Sequence, residues 1–182
     1  GRDANLDWVI GNMGGELVKQ FIEMELDGQG AFGRVTGMFF ADGEQTFDQD
    51  TQQVHNAPLT SSDLLFKGAA KDNARTVWQG MIKSLPKMQK IDGYQQNRNL
   101  LLSDKARADS MPRLEIEAND VRCTHGASFT TYDPGQRFYL QSRGLTRAEA
   151  ERLLVTGFFA AVVERLEHPP LVEWLLGELD GQ

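Results

Sequence analysis

The stretch LEIEANDVRCTHGASFT, residues 114–130, has the pattern of two short β-strands joined by a turn. Its first half, residues 114–118, alternates apolar and acidic side chains, which is the period of a half-buried strand. Asn119 and Asp120 follow, and both side chains can bond their own backbone, which favours a turn. A second strand is predicted from Val121 onward. This stretch therefore indicates a mainly β fold.

The second strand carries Cys123, the only cysteine of the chain, and His125, one of three histidines. Residues two apart on a strand point to the same side, so the thiol and the imidazole can share one pocket. Gly126 follows directly and allows a second backbone to approach closely. An isolated cysteine or histidine in a strand is more often a buried or hydrogen-bonded structural residue than a ligand.

A metal centre usually needs about four protein ligands, and Cys123 and His125 supply two. The other histidines, His55 and His168, lie far away in sequence. A metal or cluster site at this strand would therefore require ligands from a second chain.

Composition excludes several classes of protein. The chain of 182 residues carries a net charge of −7, which argues against a nucleic-acid-binding protein. One cysteine excludes a disulfide framework and favours a reducing compartment, so we expect a cytoplasmic protein. No apolar run approaches the roughly 20 residues of a membrane span. Because the chain opens without a methionine, we expect it to be the C-terminal piece of a longer protein.

Short strand patterns separated by turn signals continue through the first two thirds of the chain. The predicted strands are 22–26, 34–40, 46–54, 63–66, 75–82, 99–102, 114–118 and 121–124. The predicted turns lie at 27–28, 42–43, 56–58, 67–68, 72–73, 92–93, 103–104 and 111–112. A sandwich, a barrel or a stacked solenoid fits this spacing, and the polar residues of 46–54 and 95–99 favour a solenoid.

Helical patterns begin after Thr130, so we divide the chain into a β core at 1–131 and a helical segment at 132–182. Asp133 and Thr146 are predicted helix caps, each with a capping-box residue three positions later. A third helix is predicted after Pro169. On the second and third helices the apolar residues cover more than one face. Phe158 is one of those on the second helix. They can cover the sheets or dock a partner.

Two motifs do not indicate catalysis. Residues 28–33 match G-x-G-x-x-G, but strand-like sequence follows where a dinucleotide site needs a helix, so we predict a turn. His55, Ser61 and Ser62 lie close in sequence without a nucleophile elbow, and we expect a hydrogen-bonded turn around Pro58.

Three longer stretches resemble the SufD branch of the SufB/SufD family, the scaffold subunits of the SUF iron–sulfur cluster assembly system. They are NLLLSDKARAD at 99–109, residues 114–128, and FYLQSRG at 138–144. Residues 60–62 and 67–68 also match. The related SufB proteins usually place acidic residues around the equivalent histidine, so the sequence around His125 is more similar to SufD.

The resemblance implies a right-handed parallel β-helix followed by C-terminal α-helices. It implies a non-enzymatic scaffold in a SufB–SufC–SufD complex whose ATPase is SufC. The helices would contact SufC, and we expect Phe158, Trp174 and Leu175 to contribute. The end of the β-helix would pair with SufB. His125, with Cys123 beside it, would lie where a nascent iron–sulfur cluster forms. No tightly bound cofactor is expected, only a transient cluster in the complex.

Other hypotheses remain open at this point. Cys123 with His125 as its base would make a cysteine enzyme, which requires a lowered thiol pKa. A carbohydrate-binding β-helix would need an aromatic groove. Self-association into a homodimer through uncovered strand edges is also predicted. The sequence departs from the family at Leu59, where a second histidine is common, and at Pro134-Gly135, where an acidic pair is common.

Overall fold

The computed structural model describes residues 1–131 and 133–180 and contains nine β-strands followed by three α-helices. The strands are β1 Asn5–Met13, β2 Leu17–Leu26, β3 Phe32–Ala41, β4 Thr46–His55, β5 Ser61–Ala70, β6 Arg75–Ser84, β7 Ile91–Leu101, β8 Arg107–Ile116 and β9 Val121–Thr131. The helices are α1 Pro134–Ser142, α2 Arg147–Val163 and α3 Pro169–Asp180.

Successive strands alternate between two parallel sheets. Sheet A has the order β1-β3-β5-β7-β9, and sheet B has the order β2-β4-β6-β8. Each pair of strands is therefore one coil, and each coil stacks on the one before it in parallel register. This arrangement is a β-solenoid of about four turns followed by helices, which confirms the predicted parallel β-helix and C-terminal α-helices.

The change from strand to helix falls between Thr131 and Pro134. Of the predicted helical segment, residues 132, 181 and 182 lie outside the described residues.

Two apolar clusters hold the structure together. The first fills the solenoid interior in its earlier coils and includes Phe47, Phe66 and Trp78. The second lies between the outer face of sheet A and the helices, where Phe159 and Leu175 pack against strand residues such as Met38. The helices are therefore part of the folded unit, and α2 covers sheet A, which is the first of the two alternatives given for its apolar residues.

Three predicted turns, at 67–68, 92–93 and 111–112, are wrong because these residues lie inside β5, β7 and β8. Gly68 is needed for close packing, since a Cβ there would overlap the Phe39 ring. Pro112 is tolerated because β8 is the edge strand of sheet B and needs only one ladder of hydrogen bonds. In these strands glycine allows a neighbouring side chain to pack closely, and proline lies on an edge strand. Neither residue marks a turn here.

Several strands are longer than the sequence predicted. The predicted strand 99–102 is the end of β7, whose inward positions include the buried amides Gln95, Asn97 and Asn99. The predicted strand 114–118 overlaps the end of β8 at residues 114–116, and Leu114 on it is 38% exposed. β1 lies in the predicted β core but is not among the individually predicted strands. The turn predicted for residues 28–33 is present at residues 28–31, whereas Phe32 and Gly33 already belong to β3.

Both predicted helix caps are present. The Asp133 side chain accepts a hydrogen bond from the Gly135 amide at 2.8 Å, and Thr146 and Glu149 form a reciprocal capping box. The buried residues of α2 are Ala150, Val155, Phe159 and Val162. α2 is apolar on nearly all sides, so the sequence did not specify the covered face. No helix among the described residues has the length and apolar character needed to cross a bilayer.

Candidate functional site

The last coil is incomplete, because sheet A has five strands and sheet B has four. β9 therefore extends sheet A by one strand that has no partner strand opposite it in sheet B. The inward-facing residues of β9 lie at an open end of the solenoid. We call this surface the end face and define it by Leu114, Cys123, His125, Ala127 and Phe129.

Cys123 is half-buried and lies in register with Gly93 of β7. Burial raises the pKa of the Cys123 thiol above its ordinary value, a hydrogen bond from the Gly93 backbone opposes the rise, and the charge of Asp92 adds to it. A thiol with a raised pKa stays protonated at neutral pH. This direction is the opposite of what a cysteine nucleophile requires.

His125 lies on the same side of β9, about 7 Å further along the strand. Its register partner is Gln95, which is fully buried inside the solenoid. His125 itself is exposed, because no coil stacks over it. The structure therefore brings the thiol and the imidazole to one surface, and it leaves the imidazole accessible to another molecule.

Two large apolar side chains on the same face are also exposed. Phe129 is 50% exposed and Leu114 is 38% exposed, although both occupy inward-facing positions. In an earlier coil the same positions are filled by buried residues such as Ile82. The end face is thus an apolar surface with one histidine and one cysteine, which is a composition suited to contact with another protein surface.

The described part of the chain contains no group of three or more histidine, cysteine or acidic residues placed to hold a metal ion. Cys123 and His125 could provide two ligands, with the thiol deprotonated and the imidazole neutral. Any centre with four protein ligands at the end face therefore needs donors from another polypeptide.

The chain matches a known protein family over most of its length. Residues 1–158 match the family described as "SUF system FeS cluster assembly, SufBD core domain". The chain belongs to the SufBD family. The SufD resemblance found in the sequence is therefore confirmed at the level of this family.

Curated relatives agree with this assignment. The chain is 37% identical over 91% of its length to the iron–sulfur cluster assembly protein SufD of Bacillus subtilis, covering 38% of that protein. It is 31% identical over 92% of its length to SufD of Escherichia coli, covering 40% of that protein. A SufBD family protein of Mycobacterium leprae is 34% identical over the whole chain, which covers 48% of it. The chain thus spans about half or less of the length of these relatives.

His55 is a buried histidine of this SufBD solenoid, and both of its ring nitrogens are hydrogen-bonded. Its Nδ1 lies 2.8 Å from Thr60 Oγ1, and its Nε2 lies 3.0 Å from Ser62 Oγ. Because the Thr60 hydroxyl donates to the Ala57 carbonyl at 2.9 Å, it must accept from Nδ1–H. The unprotonated Nε2 then accepts from the Ser62 hydroxyl. Burial lowers the pKa of His55 to about 4, so the ring is neutral.

The prediction of a hydrogen-bonded turn at this place is confirmed. His55 and Ser62 are both buried, so the serine–histidine pair is shielded from any substrate.

The three predicted partner-binding residues lie in different environments. Trp174 is 53% exposed on α3, whereas Leu175 is 1% exposed and packs against Gly11 of β1. Phe158 is partly buried under Lys67, whose ammonium lies 4.7 Å from the ring centroid and donates to the Phe158 carbonyl. Leu175 therefore holds α3 on the solenoid, and Trp174 is the residue of the three that a partner can reach directly.

Sequence reasoning missed a second exposed surface on the helices. Phe138 is 74% exposed, and Tyr139 and Leu153 are also exposed beside a groove between α1 and α2. All three lie in stretches that the sequence predicts to be helical. The exposure of Leu153 could not be predicted, because α2 has no single apolar stripe.

Proposed function

We propose that this chain is part of a non-enzymatic scaffold for iron–sulfur cluster assembly, acting in a complex with a SufB-type subunit and a SufC-type ATPase. A nascent cluster, the cargo of the complex, would form where the end face meets SufB. Family membership supports a role in the SUF system, and the cytoplasmic location stays a prediction.

The observation that carries the proposal is the open end of the solenoid. It exposes His125 beside Cys123 in an apolar surface, and the described residues supply too few ligands for a metal site. A SufB-type chain stacked on the end face would bury Leu114 and Phe129 and bring the missing ligands. Imidazole is a suitable iron ligand, and it can also move a proton near neutral pH.

The scaffold hypothesis is preferred to the cysteine-enzyme and carbohydrate-binding hypotheses for two reasons. The raised pKa of Cys123 does not fit a nucleophile. A carbohydrate-binding groove would need a row of exposed aromatic residues, but Trp78 is buried in the solenoid interior.

The SufC-type partner would dock on the C-terminal helices, where Trp174 is exposed. Trp174→Ala should weaken binding of the ATPase while changing the free energy of unfolding by no more than about 0.5 kcal/mol, as is usual at a surface. Leu175→Ala is the matched comparison, and it should cost about 2–5 kcal/mol because the side chain is buried. Titration calorimetry and urea unfolding measure the two quantities. Unchanged binding by the Trp174 variant would remove this residue from the proposed contact.

Reconstitution tests the function itself. The full-length protein is mixed with SufB- and SufC-type subunits from the same organism, and complex formation is followed by size-exclusion chromatography. Cluster formation is then followed by visible absorbance under anaerobic conditions with iron and a sulfur donor. We expect a ternary complex whose cluster yield exceeds that of SufB and SufC alone. Failure to form a complex, or a yield that does not depend on this protein, would contradict the proposal.

A further inference from the structure

Polar side chains with no hydrogen-bond partner lie inside the solenoid. Gln49 and Gln53 of β4 are 1% and 0% exposed, and neither amide oxygen nor amide nitrogen has a partner within residues 1–131 and 133–180. The same holds for Trp78 Nε1 and for Gln95 Oε1, although the Gln95 amide nitrogen donates to the Arg113 carbonyl at 3.0 Å. The solenoid interior therefore contains donors and acceptors that are not satisfied by protein atoms.

The register of sheet B arranges most of these groups in one column. Gln20 of β2 lies beside Gln49, Gln49 beside Trp78, and Trp78 beside Ser110 of β8, whose buried hydroxyl is also unpartnered in the described chain. This column crosses every strand of sheet B. Its last member, Ser110, lies in the strand that precedes the end-face strand β9.

Gln95 of sheet A lies next to Trp78 of this column. A Cβ on Gly80 would lie 2.6 Å from Gln95 Oε1 and would overlap the Trp78 indole ring. The amide oxygen and the indole are therefore neighbours, and the absence of a side chain at Gly80 makes room for both. The Trp78 N–H is a donor only, and the Gln95 oxygen is an acceptor only.

The strands on either side of Gln53 offer its amide no polar side chain in register. Its register partners on both sides are apolar, Met24 on β2 and Ile82 on β6. Buried polar groups without a protein partner are normally bonded to ordered water, because leaving them unpaired costs free energy.

We propose that the solenoid interior binds ordered water molecules at two places: along the Gln49–Trp78–Ser110 column together with Gln95, and at the Gln53 amide. The bound water bridges the indole N–H and the facing amides. This inference concerns the interior of the fold and does not depend on the proposed function. It means that the solenoid has a hydrated polar column beside its apolar cluster, and that this column extends to the last complete coil.

The test is a crystal structure of the full-length protein at a resolution that shows ordered solvent. We expect water within hydrogen-bond distance of Trp78 Nε1 and of the Gln53 amide. Water-selective NMR on protein labelled with ¹⁵N-tryptophan gives a second readout: the Trp78 indole proton should show a cross-peak from long-lived bound water. The indole signal is assigned with Trp78→Phe.

A pair of variants sharpens the test. Gln53→Met replaces the amide by an apolar group of similar size and should remove the water at that position. Gln52→Met changes the neighbouring, half-buried residue on the other face of β4 and should leave the water in place. The proposal is overturned if the wild-type interior is dry, with Gln49, Trp78 and Gln95 paired directly with one another. A dry interior would be seen in the wild-type structure, so this outcome does not depend on whether a variant folds.

Discussion

His55 and His125 are both histidines of the solenoid strands, but they have different surroundings. Both histidines occupy inward-facing positions of the solenoid, one on β4 and the other on β9. His55 has a coil on each side, with Leu26 and Ser84 as its register partners. His125 has Gln95 on one side only, and its other side is open.

The two regions differ in how the inward-facing histidine is covered, although the residue type is the same. Around His55 the interior is closed, both ring nitrogens are bonded to hydroxyls, and the ring is held neutral. Around His125 the interior is open, and the described chain provides no hydrogen-bond partner for the ring. We therefore expect the first histidine to stabilise the protein, and we propose that the second takes part in chemistry with a partner.

The largest expected effect is the loss of stability when the closed site is broken. His55→Ala leaves the Ser62 hydroxyl without its acceptor and creates a cavity in the interior, and should cost about 4 kcal/mol. Urea unfolding followed by circular dichroism measures this, with His125→Ala as the matched control. Equal losses for the two variants would show that both histidines are structural and would end the comparison.

The closed site should also make the protein sensitive to acid. The pKa of His55 is about 4 when folded and 6.5 when unfolded, so the unfolded state takes up a proton first as the pH falls. Stability is therefore fully present above pH 6.5 and is lost between pH 6.5 and 4, by about 3 kcal/mol for this group.

The measurement is the difference in unfolding free energy between neutral and acidic pH, for wild type and for His55→Gln, which does not titrate. The variant should lose much less stability over this interval. The same pH dependence in both proteins would assign the acid sensitivity to other groups.

A smaller effect is expected at the boundary between the closed and open regions. A Cβ on Gly93 would lie 3.1 Å from Ile82 Cγ2 and 3.2 Å from the Cys123 sulfur, which is closer than ordinary contact. Gly93→Ala should therefore push the thiol outward at a cost of about 1 kcal/mol. Outward movement reduces the burial that raises the thiol pKa, so alkylation of Cys123 should become several-fold faster.

Mass spectrometry measures the alkylation rate at Cys123. Gly126→Ala is the control on the same sheet, because a Cβ there has no atom within 4 Å in the described structure, and its rate should equal that of wild type. An unchanged or slower rate in the Gly93 variant would mean that this glycine does not position the thiol.

Much of the solenoid could be predicted from the sequence, because strand alternation and turn residues act locally. The strands at 46–54 and 75–82 match β4 and β6 closely. Gly93 and Pro112 were misassigned as turns because close packing and edge position depend on the neighbouring coils. The pairing of Cys123 and His125 on one side follows from strand period. Which inward residues are covered depends on how many strands each sheet contains, and that number is a property of the whole chain.

The central claim is that the exposed His125 acts only in the complex. The direct measurement is cluster formation by the reconstituted SufB–SufC complex containing either the full-length wild type or its His125→Ala variant. We predict that the variant keeps its unfolding free energy within about 0.5 kcal/mol, as expected for an exposed residue, and still binds both partners, but no longer supports cluster formation. Full cluster formation by a folded, complex-forming His125→Ala protein would contradict the account.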